Sequence, residues 1–335
     1  MTLDLLLSIK YLFYLDRLDT EFGRFYATFS EFIIFGLIFS SITVELFRKY
    51  NPAMTSREIS KKIEDHVVII GYNHIGQRIR EYFQNKGIDV VVIDKDENKV
   101  HDLIEKEEPV VLDDALTIET LYEASVDKAR AIYVMSDDLE LQLVVNAYIR
   151  DINKNCIIID RIFEDDIGEL IKTTYNTKII STSRFASKVI FRKIHTGKKK
   201  NILIIGANHI SARLIKRFLE IPDIKYQIIE ENEELIEEMM FIGKPIIIGD
   251  PKDDLVLEKA NIKSIDCVVN TIPNVTQSIL ITKHIRELNH TCKIISRIFL
   301  DSVAGILEKS PFRSEVISSS KSTLDVMIQK GYMNV

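Results

Sequence analysis

One pattern occurs twice in this sequence, and the repeat limits the chain to two copies of one fold. The segment VVIIGYNHIG from Val67 is matched by ILIIGANHIS from Ile202, so that Gly71 has its counterpart in Gly206. Further along, VVVIDKDEN is matched by YQIIEENEE, and IIIDRIF by KIISRIF. Because order and spacing hold throughout the two copies with almost no drift, we interpret the sequence as a tandem duplication.

Within each copy, short runs rich in Val and Ile alternate with longer segments of helical period. Runs that are apolar on both faces are typical of parallel strands covered by helices. The sequence therefore predicts an α/β fold with two tandem Rossmann-like, doubly wound parallel-sheet domains at 66–194 and 201–330. We expect Phe191–Lys200 between them to be a solvated linker. The predicted strands of the first copy are His66–Gly71, Asp89–Asp94, Pro109–Asp113, Ala131–Met135, Cys156–Asp160 and Lys178–Ser181.

Residues 1–65 differ from the repeats, because 25–47 form an apolar segment that predicts an N-terminal transmembrane helix. Glu31 and Glu45 interrupt this segment, and the uncharged stretch between them is short. A clean span needs about 20 residues, so an amphipathic or partner-docking helix is the alternative. Basic residues, beginning with Arg48, follow the segment. If the helix spans a cell membrane, these residues place the two repeats in the cytoplasm.

The composition excludes some classes of partner and site. The net charge of -6 gives no electrostatic support for a nucleic-acid partner. The three cysteines lie far apart and form no C-x-x-C pair, so they indicate neither a disulfide framework nor a zinc site. We expect Cys156 and Cys292, at equivalent places in the two repeats, to be buried apolar residues.

The turn GYNHIG, from Gly71 to Gly76, follows the first predicted strand and precedes a predicted helix. A tight turn before a helix N-terminus presents N–H groups and a positive dipole to phosphate. Asp94 ends the second predicted strand, where a carboxylate accepts hydrogen bonds from ribose hydroxyls. The pattern predicts a site for NAD(H) or an adenine nucleotide, ATP or ADP. Asn73 stands in place of a middle glycine and narrows the approach, so a Rossmann fold without a ligand is the alternative.

In the second repeat, two substitutions crowd the corresponding turn. Ser211 replaces the helix-packing glycine and Glu230 replaces Asp94. We therefore expect a structural, dimer-forming role there rather than ligand binding. Four aspartates of the first repeat follow strand ends, where they suit either a hard cation such as calcium or, as we prefer, turns and helix caps: Asp113, Asp114, Asp137 and Asp138.

Four segments of the first repeat, HVVIIGYNHIGQRIREYF, VVVIDKDENKV, VVLDDALTIETL and KARAIYVMSDD, together resemble the regulator-of-potassium-conductance (RCK) domain, also called the Trk-type NAD-binding domain. The resemblance implies a cytosolic ligand sensor that forms homo-oligomers through its Rossmann domains and gates the pore subunit of a potassium channel or transporter. It also implies that six residues contact nucleotide: Gly71, Asn73, Gly76, Asp94, Asp114 and Asp137.

Residues 24–50 resemble the inner pore helix that precedes such domains, but the chain contains no T-x-G-[YF]-G selectivity filter. By itself it therefore cannot select potassium through rings of carbonyl groups. The leading hypothesis is a membrane-attached regulatory subunit, or the regulatory remainder of a split channel gene, that gates potassium flux in response to a nucleotide and is not an enzyme. Two rivals stay open, an NAD-dependent oxidoreductase and a ligand-free assembly scaffold.

Overall fold

A computed structural model describes residues 21–194, 200–238, 243–298 and 301–335 of the chain. They form two six-stranded sheets in which every strand pair is parallel. The strands of the first sheet are β1 (Val67–Ile70), β2 (Val90–Asp94), β3 (Val110–Leu112), β4 (Ala131–Val134), β5 (Ile157–Arg161) and β6 (Lys178–Ile180). Those of the second are β7 (Lys200–Ile205), β8 (Ile224–Glu230), β9 (Ile246–Ile248), β10 (Cys267–Asn270), β11 (Lys293–Ile298) and β12 (Ser314–Ser318).

Both sheets have the same strand order, β3-β2-β1-β4-β5-β6 and β9-β8-β7-β10-β11-β12. This is the doubly wound order, in which the direction of winding reverses beside the first strand. Ligands of such folds bind at the carboxyl ends of the strands at that reversal, between β1 and β4 here. The predicted fold class and the predicted strands are thus confirmed in both repeats.

Helices connect the strands and cover the sheets. In chain order they are α1 (Glu21–Tyr50), α2 (Pro52–Ser60), α3 (His74–Gln84), α4 (Glu97–Glu105), α5 (Ile118–Glu123), α6 (Leu139–Ile152), α7 (Asp165–Tyr175), α8 (Thr182–Ile194), α9 (His209–Phe218), α10 (Glu233–Glu238), α11 (Asp254–Lys259), α12 (Val275–Leu288), α13 (Asp301–Leu307) and α14 (Ser319–Gln329). Short 3-10 helices lie at Val126–Lys128 and Ile262–Ser264.

The strands are buried on both faces, which explains their continuous Val and Ile content. In β1, Val67 and Ile69 pack into one core while Val68 and Ile70 pack into another on the opposite face. Each of these four side chains is at most 1% exposed. Successive side chains of a strand point to opposite faces, so a strand between two helix layers buries nearly every side chain, which favours apolar residues.

The last helix of each repeat packs on the sheet of the other repeat. Ala186 and Ile190 of α8 belong to the core that covers one face of the second sheet. Met327 of α14, with Met333 after it, belongs to the core of the first sheet. The Tyr133 hydroxyl of β4 donates a hydrogen bond to the carbonyl of Tyr332 at 2.7 Å. The predicted ranges 66–194 and 201–330 therefore describe chain segments, and the packing exchanges one helix between them.

The linker prediction, Phe191–Lys200, is wrong for Lys200, which begins β7, and for residues 191–194. They form the last turn of α8, and Ile194 is fully buried against the second sheet. The 3.6-residue apolar period of α8 continues to Ile194. The charged HTGKKK segment directly after it hides the end of this period in the sequence. Residues 195–199, and residues 1–20 of the predicted 1–65 region, lie outside the described residues.

Helix α1 is longer than the predicted 25–47 segment and is long and apolar enough to cross a membrane. Its residues 29–46 have a mean hydropathy of 1.7, and 6% of them are buried. Large apolar side chains such as Phe32 and Leu37 are more than half exposed. In water, so wide an apolar surface is unfavourable. These observations point to association with a membrane.

Candidate nucleotide site

Gly71 forms the tight turn that brings the end of β1 to the start of α3. Its φ of +90° lies in the left-handed region, which favours glycine. A Cβ at this position would lie 3.0 Å from the backbone nitrogen of Ser136. Gly76 lies in the first turn of α3, where a Cβ would lie 2.7 Å from the Gly71 carbonyl oxygen. Both glycines thus allow the turn, α3 and the end of β4 to pack in close contact.

Asn73 caps the N-terminus of α3. Its side-chain Oδ1 accepts hydrogen bonds from the backbone N–H groups of Ile75 at 3.1 Å and Gly76 at 3.2 Å. Its Nδ2 donates to the carbonyl of Met135 at 2.5 Å. From the sequence we expected this side chain to narrow the approach of a pyrophosphate. In the structure it also satisfies two of the N–H groups that a helix N-terminus would offer to phosphate.

Asp94 lies at the end of β2 with its carboxylate turned towards the Gly71 turn. The residue is 9% exposed. Its Oδ2 accepts a hydrogen bond from the Tyr72 N–H at 2.7 Å, and its Oδ1 accepts one from the Asp96 N–H at 2.9 Å. An ionised carboxylate can accept about four hydrogen bonds. Asp94 therefore has acceptor capacity left for the hydroxyls of a ribose.

A cavity of about 410 Å³ lies at the carboxyl edge of the first sheet, beside the reversal of strand order. Its size falls within the range of about 300–1,000 Å³ that is usual for small-molecule sites. Five of the six predicted site residues line it together: Gly71, Asn73, Asp94, Asp114 and Asp137. The sixth, Gly76, does not line the cavity but packs beneath the turn.

Two lysines also line this cavity, and sequence reasoning missed them. The Lys95 ammonium lies 3.6 Å from Asp114 Oδ2, and that of Lys99 lies 3.9 Å from Asp94 Oδ1. Both follow Asp94 closely in DKDENK, so their proximity to it was a signal. They supply positive charge beside the carboxylates, which favours a phosphate-bearing ligand.

Two of the four aspartates that follow strand ends, Asp114 and Asp138, serve as turn and cap residues, as we preferred. Asp138 accepts from the Leu141 N–H at 3.1 Å and caps α6. Asp114 accepts from the Leu116 N–H at 3.1 Å. Asp137 differs, because its carboxylate pairs with the guanidinium of Arg161 at the end of β5. The predicted strand ended one residue earlier, at Asp160, so Arg161 was not recognised as a site residue.

The second repeat builds the same turn, but the turn residues do not line the smaller cavity at the corresponding edge of its sheet. Glu230 Oε2 accepts from the Ala207 N–H at 2.6 Å, and the Ser211 hydroxyl donates to the Gly206 carbonyl. The corresponding cavity has a volume of about 180 Å³ and is lined by Ile272 and Pro273 as well as Glu230. We expected crowding from Ser211 and Glu230, but not from the apolar pair that follows β10.

Residues 67–182 and 202–319 each match the family model of the TrkA-N domain. The chain belongs to the TrkA-N domain family. This TrkA-N chain is 31% identical over 116 residues to Potassium channel protein 1 of Methanocaldococcus jannaschii, which is 34% of each chain. It is 25% identical over 232 residues to the Trk system potassium uptake protein TrkA homolog of Pyrococcus horikoshii, covering 65% of this chain and 92% of that one.

The TrkA-N chain spans 34% and 44% of the lengths of the M. jannaschii Potassium channel protein 1 and Probable potassium channel protein 2. Among solved structures, it is similar to GsuK bound to ADP, with a TM-score of 0.73 at 18% identity over 98% of this chain and 88% of that chain. It is also similar to the GsuK channel bound to NAD, with a TM-score of 0.71 at 14% identity over 97% and 76%. At these identities the likeness concerns the fold, in which an N-terminal helix precedes two Rossmann-like units.

Proposed function

We propose that this TrkA-N chain is the nucleotide-sensing regulatory module of a potassium channel or transporter. The observation that supports the proposal most is the cavity of about 410 Å³, which the Gly71 turn, Asp94 and Asp114 line beside the reversal of strand order in the first sheet. The names of the relatives support the link to potassium transport, and GsuK is a structural neighbour that binds ADP and NAD.

The residues of the first cavity fit NAD(H), ADP or ATP. Asp94 would accept hydrogen bonds from the ribose hydroxyls, and Lys95 and Lys99 would neutralise phosphate charge. The Gly71 turn, which a side chain would fill, allows the ligand to approach the backbone closely. A carboxylate at the end of β2 disfavours a 2′-phosphate, so the site favours NAD(H) over NADP(H).

A short path leads from the cavity to helix α1. Helix α2, which a single residue separates from the end of α1, packs on β3. Its Arg57 donates hydrogen bonds to the Leu112 carbonyl at 3.1 Å and to Asp113 Oδ2 at 3.0 Å. Arg57 also pairs with Glu123 at 3.0 Å. Asp113 lines the nucleotide cavity. A ligand that alters this edge of the sheet would thus act on the segment attached to α1.

The ligand would act by shifting a population of arrangements. It changes the balance between two arrangements only by its difference in affinity for them, and a few kcal/mol suffices to reverse that balance. We propose that α1 lies in the cell membrane, that both sheets are cytoplasmic, and that the chain forms homo-oligomers on a pore subunit. The exposed apolar surface of α1 and the basic residues after it support this placement.

Titration calorimetry on the full chain in detergent tests nucleotide sensing. We expect ADP, ATP, NAD or NADH to bind, and Asp94→Asn to weaken that binding by about tenfold or more, because it removes the charge-assisted hydrogen bonds to the ribose. Asparagine retains one carbonyl oxygen to accept from Tyr72. The matched control is Glu230→Gln in the smaller second cavity, which we expect to leave affinity unchanged. No binding at millimolar ligand would contradict the proposal.

Cross-linking in native membranes tests the proposed partner. The full chain is cross-linked, purified and analysed by mass spectrometry. We expect to recover a protein with a potassium selectivity filter, and its rubidium flux in vesicles should change when the bound nucleotide is added. Recovery of the pore with a flux that does not respond to nucleotide would contradict gating.

One observation favours a second candidate, the ligand-free assembly scaffold. Asn73 already satisfies the N–H groups of Ile75 and Gly76, as it would in a fold that has kept its shape without a ligand. The titration separates the two functions, because a scaffold would bind no nucleotide in either variant. We favour a regulator over an oxidoreductase, because the second repeat builds another Rossmann-like sheet where a dehydrogenase would need a substrate domain.

A further inference from the structure

A second cavity, of about 490 Å³, lies between the two repeats and is distinct in position from the nucleotide cavity. Both repeats contribute corresponding residues to its wall, namely Asn73 and Asn208, His74 and His209, and Arg161 and Arg297. We call it the inter-repeat cavity. It touches the nucleotide cavity at two residues, Asn73 and Asp137, which line both. The family resemblance gave no reason to expect it.

Arg161 is a buried cation whose hydrogen-bonding capacity is only partly used. The residue is 9% exposed, and its Nε is buried with no hydrogen-bond partner among the described residues. Nη1 donates to the Met135 carbonyl at 3.3 Å, and Nη2 pairs with Asp137. The guanidinium lies 4.8 Å from the ring of Phe163, which itself stacks on His209. This stack joins the two repeats and holds the guanidinium at the cavity wall.

Arg297 brings a second positive charge to the same wall. Its Nε donates to the Ser319 hydroxyl at 3.3 Å. Burial, together with the smaller effect of the Arg161 charge, lowers the pKa of Arg297 to about 10, while Asp137 acts in the opposite direction. The guanidinium stays protonated at neutral pH. In the second repeat the position of Asp137 is taken by Pro273, which has no charge.

Four helices begin at this cavity and add to the positive potential. Helices α3, α8, α9 and α14 start at His74, Thr182, His209 and Ser319, and these four residues line the cavity. The positive ends of the four dipoles therefore face it. Asn73 and Asn208 cap α3 and α9 and use their first N–H groups, so these dipoles contribute charge more than direct hydrogen bonds. Within the described lining, two arginines and four helix ends thus face one carboxylate, Asp137.

We propose that the inter-repeat cavity binds a small, multiply charged phosphate anion through Arg161 and Arg297. Such an anion would accept hydrogen bonds from planar guanidinium groups, and a site that excludes water strengthens these bonds. It would also offset the repulsion between the two cations. Because one arginine ends β5 and the other lies in β11, the bound anion would connect the two sheets and stabilise one arrangement of the repeats. The proposal is independent of the proposed nucleotide function.

Titration of the full chain with pyrophosphate, at constant ionic strength against sodium chloride, tests the site. We expect Arg297→Gln to weaken pyrophosphate binding by about tenfold or more. The matched control is Arg217→Gln, which removes the same charge from an arginine that lies over the Phe191 ring, outside the cavity wall. Equal losses in the two variants would overturn the proposal, because they would show a general effect of charge.

If Arg297→Gln does not fold, a second variant, Asp137→Asn, tests the proposal, because it should strengthen pyrophosphate binding. Asp137→Asn removes the carboxylate that repels the anion and frees Arg161, so pyrophosphate should bind about tenfold more tightly. Unchanged or weaker binding in this variant would overturn the proposal.

The terminal phosphates of a nucleotide in the neighbouring cavity are a second source of the same chemistry. Lys99→Gln separates the two, because Lys99 lines only the nucleotide cavity and would neutralise phosphate charge there. We expect this variant to bind nucleotide more weakly and to keep pyrophosphate binding. Weaker binding of both would place the anion in the nucleotide cavity and refute a separate site, while no change in either would contradict only the role proposed for Lys99 in nucleotide binding.

Discussion

Replacing Asn73 by glycine should strengthen nucleotide binding, although the residue lies in the predicted site. The Asn73 side chain holds the N–H groups of Ile75 and Gly76 and donates to the Met135 carbonyl. A phosphate that uses these N–H groups must first displace the side chain. Glycine removes the obstacle, and the backbone of residue 73, with a φ of -87°, needs no unusual conformation.

The magnitude follows from the contacts that the ligand must break. Displacing the asparagine cap costs about 1 kcal/mol, and losing the hydrogen bond to Met135 costs about 1 kcal/mol more. The glycine variant does not gain this whole amount, because ordering the more flexible glycine backbone costs about 0.5–1 kcal/mol. The net gain of somewhat over 1 kcal/mol corresponds to about tenfold tighter binding of ADP.

Calorimetric titration of the full chain with ADP measures this gain. The control is Asn208→Gly, because Asn208 caps α9 in the same way. The corresponding cavity of the second repeat has a volume of only about 180 Å³, and Asn208 does not line it. Both variants lose one helix cap, and circular dichroism checks that both remain folded. If Asn73→Gly binds ADP no more tightly than the parent chain, or if Asn208→Gly gains as much, the reasoning about the cap is wrong.

Two further predictions concern stability. Gly71→Ala should lower the free energy of unfolding by about 2 kcal/mol more than Gly87→Ala, measured in urea, because both have positive φ but only the Gly71 Cβ would meet backbone atoms; equal losses would contradict the packing argument. Burial raises the pKa of Asp160 to about 7, so the stability of the folded chain falls as pH rises from about 4 to 7. Asp160→Asn should therefore gain about 3 kcal/mol over the parent chain between about pH 5 and pH 8, and a difference independent of pH would refute this.

The strands and their order could be predicted because burial on both faces leaves a direct mark on the sequence. The run VVII of β1 has no polar position, and the same mark recurs in the second repeat. The turn at Gly71 and the carboxylate of Asp94 could be predicted because each satisfies a local backbone requirement. Five of the six site residues that the family resemblance implied line one cavity.

Features that depend on the relative placement of the two repeats left no comparable mark. Arg161 is the last residue of the buried strand β5, and nothing in the sequence distinguishes it from an ordinary strand end. Its proposed role depends on a cavity whose wall comes from both repeats. Helix α8 has an apolar face, but periodicity does not say which sheet that face covers. The cap by Asn73 was missed for a different reason. The rotamer of the asparagine decides whether its own oxygen or a ligand oxygen accepts from the N–H groups at the helix end, and the sequence does not specify that rotamer.

The crossed packing of α8 and α14 has a consequence for how the chain can be divided. A proteolytic nick in residues 195–199 should leave the two fragments tightly associated, because each would still supply one wall of the other's interior. Fragments produced separately should aggregate or stay unfolded until mixed. Because both repeats belong to one polypeptide, they are always present in a ratio of one to one. This arrangement also allows the two repeats to differ, as they do where Ser211 and Pro273 stand in place of Gly76 and Asp137.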